Sequence, residues 1–194
     1  MNIILASASP RRAELLDQLG LSYQIQSVDV DESIQIGEVA SDYVRRLAIE
    51  KASAIRLPEA EHVVVIGADT SIELNGAILG KPQSREQAIM MLTALSGNTH
   101  RVYTGVCVLS SLGLDVLVSI TEVEFRDISG DEMDAYWRSG EPHDKAGAYA
   151  IQGVAAIFVK QIRGSYSGVV GLPLFETASL LGKHHVEIMT EMRK

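Results

Sequence analysis

Cysteine, long apolar runs and an excess of positive charge are all scarce in this chain. One cysteine among 194 residues leaves no disulfide framework within the chain. The longest stretches free of charged residues, 87–100 and 146–159, are 14 residues each, whereas a membrane-spanning helix needs about 20 apolar residues. A formal net charge of −8 disfavours the broad basic face that a nucleic-acid polymer requires. We therefore expect neither a membrane nor a nucleic-acid polymer as a partner.

Hydrophobic residues make up 46% of the sequence, which is enough for a folded core at this length without a disulfide or a metal to hold it. No repeat and no Pro/Gly/Ser linker divides the chain, so residues 1–194 are expected to form a single domain. The first residues lack the basic and long apolar segments of a signal peptide. Cys107 lies in an apolar run, which favours a buried strand thiol over a nucleophile. These features predict a cytoplasmic location.

Strand and helix patterns alternate along the chain and predict a mixed α/β fold. The predicted strands cover about 3–6, 23–27, 63–66, 71–74, 77–79, 100–110, 115–126, 148–151, 156–162 and 167–170. The predicted helices cover about 10–20, 40–57, 84–95, 129–141 and 173–181. Residues 84–87 and 129–132 have the pattern of capping boxes. Because long neighbouring strands lack helical crossovers, the sheet is expected to be mixed.

The first predicted helix carries two arginines in its first turn, where the helix dipole disfavours cations. Arg11 and Arg12 follow Ser9 and Pro10, which are typical of an N-cap and a first helical position. Free backbone N–H groups, a hydroxyl and two guanidinium groups together suit phosphate oxygens. The local sequence leaves a second interpretation open, a capped surface helix with solvated arginines.

Two more residues stand out from their surroundings. Lys51 falls on the apolar stripe of the second helix, where a lysine needs an anionic partner or a path to solvent. Asp69 follows the apolar run 63–66 and is expected at the carboxyl end of a strand, where open α/β sheets place ligands. There a carboxylate could hold a divalent cation or orient a water. The alternatives are a lysine at the edge of the stripe and an aspartate in an ordinary turn.

Several common catalytic signatures are absent from the sequence. There is no Gly-x-Gly-x-x-Gly loop, no Walker A sequence and no Gly-x-Ser-x-Gly elbow. The five histidines lack metalloprotease spacing, and His184 and His185 are expected at the surface. What remains is a scattered set of cations and carboxylates, which suits a polyphosphate with a metal ion. Its members are Arg11, Arg12, Lys51, Lys81, Glu32 and Asp69.

Six short motifs, in order along nearly the whole chain, resemble the Maf family of nucleotide pyrophosphatases. They are SASPRR (7–12), EKA (50–52), GADT (67–70), GKP (80–82), LSG (95–97) and DKAGAY (144–149). The resemblance implies an elongated mixed β-sheet with flanking helices and two lobes around a cleft, similar to inosine triphosphate pyrophosphatases. It also implies hydrolysis of nucleoside triphosphates to a monophosphate and pyrophosphate, assisted by a divalent cation, Mg²⁺ or Mn²⁺.

The resemblance extends to individual residues. Arg11, Thr70 and Gln152 match the specificity residues of family members that act on dTTP and UTP. Asp69 matches the family's proton acceptor, and Lys51 and Lys81 match catalytic cations. Ser9, Arg12 and Glu32 match substrate-binding residues. Glu32 and Asp69 are also the expected metal ligands.

Two other functions stay open at this point. One is a nucleotide-binding regulator of septum formation that needs no turnover. Such a protein would not require Asp69, so the presence of this carboxylate favours the enzyme. The other is a pyrophosphatase for 7-methyl-GTP or inosine triphosphate, which the three specificity residues disfavour. The expected partner is a nucleoside triphosphate, and the resemblance is compatible with a homodimer. The cellular role would be the removal of modified nucleotides or an influence on cell division.

Overall fold

The computed structural model describes residues 2–56 and 62–188. The strands are β1 (Asn2–Leu5), β2 (Gln24–Ile25), β3 (Val63–Leu74), β4 (Ala77–Leu79), β5 (Thr99–Ser110), β6 (Gly113–Phe125) and β7 (Val159–Arg163). The helices are α1 (Pro10–Asp17), α2 (Ala40–Ser53), α3 (Arg85–Leu95), α4 (Gly130–Arg138), α5 (Tyr166–Val170) and α6 (Leu174–Lys183). Two short 3₁₀ segments, Ala146–Ala148 and Val154–Phe158, precede β7. The second helix was predicted to reach Leu57, which lies outside the described residues, but it ends at Ser53 and residues 54–56 are not helical.

The strands form one mixed sheet in the order β2-β1-β3-β5-β6-β7, with β4 paired to β3. Strand β1 is parallel to both of its neighbours, and the other pairings are antiparallel. The predicted mixed α/β class is therefore confirmed. No helix among the described residues has the length and apolarity needed to cross a membrane.

The long strand β3 has different neighbours along its length, and this difference opens the sheet. Its first residues pair with β1 up to the partners Leu5 and Ile66, and its last residues pair with β4 from Ile72 onward. On its other edge β5 pairs with it throughout, from Val65 to Glu73. The residues between Ile66 and Ile72 therefore have no strand on one side in the described part of the chain, and the chain leaving β1 turns into α1 there.

Helix α2 packs very closely against the sheet because two glycines face it. A Cβ added to Gly67 would lie 2.7 Å from the backbone nitrogen of Ala52. A Cβ added to Gly105, on the neighbouring strand, would collide with the backbone carbonyl of Val44. Both obstacles are backbone atoms of α2, which cannot move without moving the helix.

We expect Gly105→Ala to lower the free energy of unfolding by about 1–3 kcal/mol, because the added methyl overpacks this contact. Urea unfolding followed by circular dichroism measures the change. Gly182→Ala is the matched control, since it lies in α6 with no neighbouring atom within 4 Å of the added Cβ. It should leave stability unchanged or raise it by up to about 1 kcal/mol. If Gly105→Ala unfolds at the parental urea concentration, the contact does not constrain α2.

Three predicted elements are wrong. Residues 148–151 contain no strand: Ala148 ends a 3₁₀ segment in which Gly147 and Ala148 both have positive φ, +64° and +60°, and the residues after it are irregular. Residues 167–170 belong to α5, where the Ser165 hydroxyl accepts a hydrogen bond from the Gly168 N–H and caps the helix. The predicted strand over 156–162 begins as a 3₁₀ segment and becomes extended only at Val159.

The predicted capping boxes differ from each other in the structure. At α4 the box is complete, since Ser129 and Glu132 each accept from the other's backbone N–H. At α3 the Ser84 hydroxyl accepts from Gln87 N–H, but the Gln87 side chain accepts from Gln83 N–H instead. This second box is therefore half formed.

Candidate active site

A cleft of about 890 Å³ opens where β3 loses its neighbour on one side. Its wall is built from the start of α1, the middle of β3, the buried end of α2, the loop before α2, and the turns around residues 80–83, 144–152 and 169–171. Every site residue singled out from the sequence lines it: Ser9, Arg11, Arg12, Glu32, Lys51, Asp69, Thr70, Lys81 and Gln152. The fold thus brings together residues that are up to 143 positions apart.

The centre of the cleft is an ammonium shared by two carboxylates. The Lys51 Nζ atom donates to Asp69 Oδ1 at 2.7 Å and to Glu32 Oε1 at 2.8 Å. Lys51 and Asp69 are only 8% and 7% exposed. The anion that the apolar stripe predicted for Lys51 is present, so the interpretation as a solvent-reaching edge lysine is wrong.

Asp69 does not end a strand, as the sequence suggested. It lies in the middle of β3, opposite Gly105 of β5. It faces the cleft because β1 has already ended beside Ile66. An apolar run followed by a polar residue could not distinguish the end of a strand from the end of its neighbour.

The surroundings shift the pKa values of the two carboxylates in opposite directions. Burial raises the pKa of Asp69 above its usual value, although Lys51 and Arg12 oppose the shift. Burial also acts to raise the pKa of Glu32, but Lys51 and Lys81 together lower it below its usual value. Carboxyl groups whose pKa values are pushed apart are typical of acid and base partners in active sites. Here Glu32 stays ionised, while Asp69 is the better proton acceptor.

Arg12 is held in the floor of the cleft by three side-chain and backbone oxygens. Its Nε donates to Gly171 O at 2.8 Å, Nη1 donates to Ser7 Oγ at 3.1 Å, and Nη2 donates to Thr70 Oγ1 at 3.3 Å. Burial lowers its pKa, yet a guanidinium stays charged at neutral pH. The arginine is therefore a fixed charge in the cleft, and the solvated-arginine interpretation is wrong for it.

The Thr70 hydroxyl continues this network into the core. It lies 3.0 Å from the hydroxyl of Thr104, which donates to Gly168 O at 2.7 Å. Thr104 is buried on β5 and was not predicted as part of the site. A threonine in an apolar strand carries no local signal of its partner, which lies 34 residues earlier in the sequence.

The mouth of the cleft carries three more cations. Lys81 lies 3.4 Å from Glu32 Oε2, while the side chains of Arg11 and Lys145 form no hydrogen bond or ion pair within the described part of the chain. A backbone hydrogen bond of 3.0 Å from Gly147 N–H to Gly80 O joins the turns that carry Lys145 and Lys81. Burial and the nearby Arg11 lower the pKa of Lys145. These cations repel one another, so an anion between them would be stabilised.

Two remaining predictions concern single polar residues. Ser9 precedes α1 as its N-cap, but its hydroxyl makes no capping hydrogen bond and can meet a ligand in the cleft. Gln152 is exposed in the turn after residue 150.

Cys107 is buried as predicted, and burial raises the pKa of its thiol to about 12.

The predicted surface position of His184 is wrong, because the residue is buried. Its Nδ1 lies 2.7 Å from Ser110 Oγ. His185 is exposed, as predicted. The pair lies at the end of α6, and neither histidine lines the cleft.

Comparison with known proteins assigns the family. A family model described as Maf-like protein matches residues 2–184. The chain belongs to the Maf family. The resemblance that the six motifs indicated is thereby confirmed over almost the entire sequence.

Two curated relatives of this Maf chain carry the name dTTP/UTP pyrophosphatase. The one from Colwellia psychrerythraea is 54% identical over 183 residues, covering 92% of this chain and 86% of the relative. The one from Acinetobacter baylyi is 50% identical over 177 residues, covering 91% and 96%. Among solved structures, a HAM1 protein from Coxiella burnetii is 16% identical with a TM-score of 0.52, covering 94% of this chain and 99% of that one. This last likeness concerns the fold alone.

The cleft supplies part of the ligand set for the divalent cation that is expected for a Maf protein. No group of three or more His, Cys, Asp or Glu side chains in residues 2–56 and 62–188 could hold a metal ion alone. Glu32 and Asp69, however, already share one cation, the Lys51 ammonium. Mg²⁺ commonly takes one or two carboxylates from the protein and completes its shell with substrate phosphates and water. The two carboxylates therefore fit an ion that is bound together with a nucleotide.

Proposed function

We propose that this protein is a nucleoside triphosphate pyrophosphatase that hydrolyses dTTP and UTP, and modified pyrimidine triphosphates, to the monophosphate and pyrophosphate. The names of its close relatives support the substrates. The observation that carries the chemistry is the Lys51 ammonium between two carboxylates whose pKa values are shifted in opposite directions. We place the reaction in the cytoplasm, and we keep the homodimer as a prediction.

The cations of the cleft bind the triphosphate chain. Arg12 is held rigidly by its own hydrogen bonds and presents a fixed positive charge beside the start of α1. Ser9 and the first turn of α1 add hydroxyl and N–H donors. Lys81 and Lys51 spread further positive charge toward Glu32 and Asp69. This arrangement stabilises the negative charge that develops on the leaving pyrophosphate.

Asp69 accepts the proton of the water that attacks the α-phosphorus. Its raised pKa favours this role, because a general base works best when its pKa approaches the working pH. Lys51 orients the carboxylate through the 2.7 Å hydrogen bond. No side chain forms a covalent intermediate in this mechanism, since water is the nucleophile.

Glu32 and Asp69 would hold the divalent cation, Mg²⁺ or Mn²⁺. When bound, such an ion neutralises charge on the phosphate oxygens. Glu32 suits this role because its lowered pKa keeps it ionised. Arg11, Thr70 and Gln152 select the base, and the positions of Arg11 and Gln152 in the cleft are compatible with contact to a nucleotide. The cellular purpose would be removal of modified nucleotides or an influence on cell division.

Pyrophosphate release by the purified protein tests this function. The panel is dTTP, UTP, CTP, GTP, 7-methyl-GTP and ITP, each with Mg²⁺, with Mn²⁺ and with a chelator. Metal-dependent release that favours dTTP and UTP is the expected result. Activity confined to 7-methyl-GTP or ITP would overturn the substrate assignment, and tight nucleotide binding without turnover would favour the regulator.

Lys145 was not among the predicted site residues, and we propose that it contacts the triphosphate. We expect Lys145→Met to raise KM for dTTP by roughly 10-fold or more with a smaller change in kcat, because one charge-assisted contact is worth about 1.5–3 kcal/mol. Lys160→Met is the matched control, since Lys160 pairs with Glu124 on the sheet and does not line the cleft. Equal KM values for both variants would remove Lys145 from the binding site. Steady-state kinetics measures the effect.

A further inference from the structure

The residue Glu32 lies on a long segment that has little to hold it in place by itself. Between β2 and α2, residues 26–39 contain no helix or strand, and most of their side chains are exposed. A segment with few buried apolar contacts samples many conformations unless other interactions fix it. Yet Glu32 must lie within hydrogen-bond distance of Lys51, as it does here at 2.8 Å.

Side chains of α2 bind three consecutive backbone carbonyls of this segment. Arg46 Nη1 donates to Asp31 O at 3.5 Å, and Arg46 Nη2 donates to Ser33 O at 3.0 Å. Between them, the Tyr43 hydroxyl donates to Glu32 O at 2.9 Å. The backbone on both sides of Glu32 is therefore attached to one helix.

Arg46 also forms a bidentate ion pair within the same segment. Its Nε lies 2.7 Å from Glu38 Oε1 and its Nη2 lies 2.9 Å from Glu38 Oε2. The guanidinium packs over the Tyr43 ring at 5.6 Å from the ring centroid. Bidentate pairs of this kind fix geometry as well as charge. Helix α2 thus carries Arg46 to hold the Glu32 backbone and Lys51 to hold the Glu32 carboxylate.

We propose that Arg46 is a positioning residue that holds Glu32 against Lys51 and Asp69 before the nucleotide binds. It touches neither the substrate nor the reacting atoms, and it acts only through the segment 31–38. This inference rests on the proposed function for its kinetic consequence. Its structural consequence, the ordering of the segment in the free protein, can be measured without activity.

The experiment compares Arg46→Ala with Arg126→Ala. Arg126 is a matched control because it forms the same kind of clamp elsewhere, with a bidentate pair to Glu132 and hydrogen bonds to the carbonyls of Asp127 and Ile157. Neither Arg126 nor its partners line the cleft. For Arg46→Ala we expect kcat/KM for dTTP to fall by about 10-fold to 10²-fold. The reaction rate falls steeply when a group of the site is displaced from its working position. For Arg126→Ala we expect a change of less than about 2-fold, and Arg46→Lys should recover part of the loss.

Two further measurements separate positioning from a general loss of structure. Hydrogen–deuterium exchange of the free protein should become faster in residues 31–38 of Arg46→Ala and stay unchanged in β3 and β5. In a Glu32→Gln background, Arg46→Ala should cause little additional loss of kcat/KM, since its effect passes through Glu32. Equal losses for the two arginine variants, unchanged exchange in the segment, or fully additive losses with Glu32→Gln would overturn the proposal. An inactive parent protein would instead overturn the proposed function and leave the exchange result to decide on Arg46.

Discussion

Replacing Asp69 with Asn is expected to lower kcat for dTTP hydrolysis by about 10²-fold or more. Asn has the same size and can still accept a hydrogen bond from Lys51 through its side-chain oxygen, so the fold and the nucleotide site should persist. It cannot accept the proton of the attacking water. KM should therefore change much less than kcat.

The pH dependence provides a second signature of the same residue. A general base works in its ionised form, and burial raises the pKa of Asp69. Activity of the parent protein should therefore fall, as the pH is lowered, at a higher pH than an ordinary aspartate would give. In Asp69→Asn this acidic limb should disappear from the residual activity.

Asp134→Asn serves as the control, because Asp134 is also ion-paired, at 2.6 Å to Arg85, but does not line the cleft. It should retain parental kcat and the parental pH profile. A folded Asp69→Asn protein with parental kcat would exclude Asp69 as the base. The measurements are initial rates of pyrophosphate release between about pH 5 and pH 9, with circular dichroism to verify folding.

The parts of the fold that were predicted correctly are those with local causes. Helix α1 begins at Pro10, whose restricted φ suits a first helical position. The Asn75-Gly76 hairpin forms because both residues adopt positive φ, 51° and 84°. Lys51 was identified because its neighbours on α2 are apolar, which is a property of the helix itself.

The parts that were missed depend on contacts between distant segments. The turn at 146–148 is fixed by the Gly147 hydrogen bond to Gly80 and by Tyr149, whose hydroxyl lies 2.7 Å from His100 Nε2. Local apolar residues in that stretch gave a strand pattern that these contacts override. Likewise, Arg46 is one of several charged residues on α2, and only the folded chain shows which of them reaches Ser33 and Glu38.

The opening of the cleft also depends on contacts between distant segments. It exists because β1 is shorter than β3, so that the sheet has a gap beside Asp69. Strand lengths can be estimated from the sequence, but the register between two strands whose paired residues are 61 positions apart cannot. The sequence therefore indicates which residues are chemically unusual, whereas the geometry that unites them depends on the sheet.

Replacing Lys51 with Met is expected to destabilise the protein by about 3–5 kcal/mol at pH 8, because removing one partner of a buried ion pair leaves the other charge unpaired. Met keeps the apolar length of the side chain, so little volume is lost from α2. The unpaired group is Asp69, which lies 2.7 Å from the ammonium and is 7% exposed. Glu32 is less affected, since its carboxylate is partly solvated.

The size of this destabilisation should depend on pH in a defined direction. Burial already raises the pKa of Asp69, and loss of the Lys51 charge removes a cation that opposes the shift. The folded variant therefore binds a proton more tightly than the unfolded chain does. Since such a group stabilises the folded state at low pH and loses that contribution as pH rises through the folded pKa, the loss of stability should be small near pH 5 and large at pH 8.

Two controls make the result specific to the buried pair. Lys160→Met breaks an ion pair of similar length, 2.6 Å, in which the lysine is 64% exposed, and it should cost no more than about 1 kcal/mol at any pH. Lys51→Met combined with Asp69→Asn removes the titrating group, so the difference in stability between pH 5 and pH 8 should be much smaller than in Lys51→Met alone. Urea unfolding at each pH gives these free energies. The prediction is wrong if Lys51→Met loses the same unfolding free energy at pH 5 and at pH 8. Asp69 would then not be left buried and unpaired, because only a desolvated carboxyl group takes up a proton in response to the lost charge.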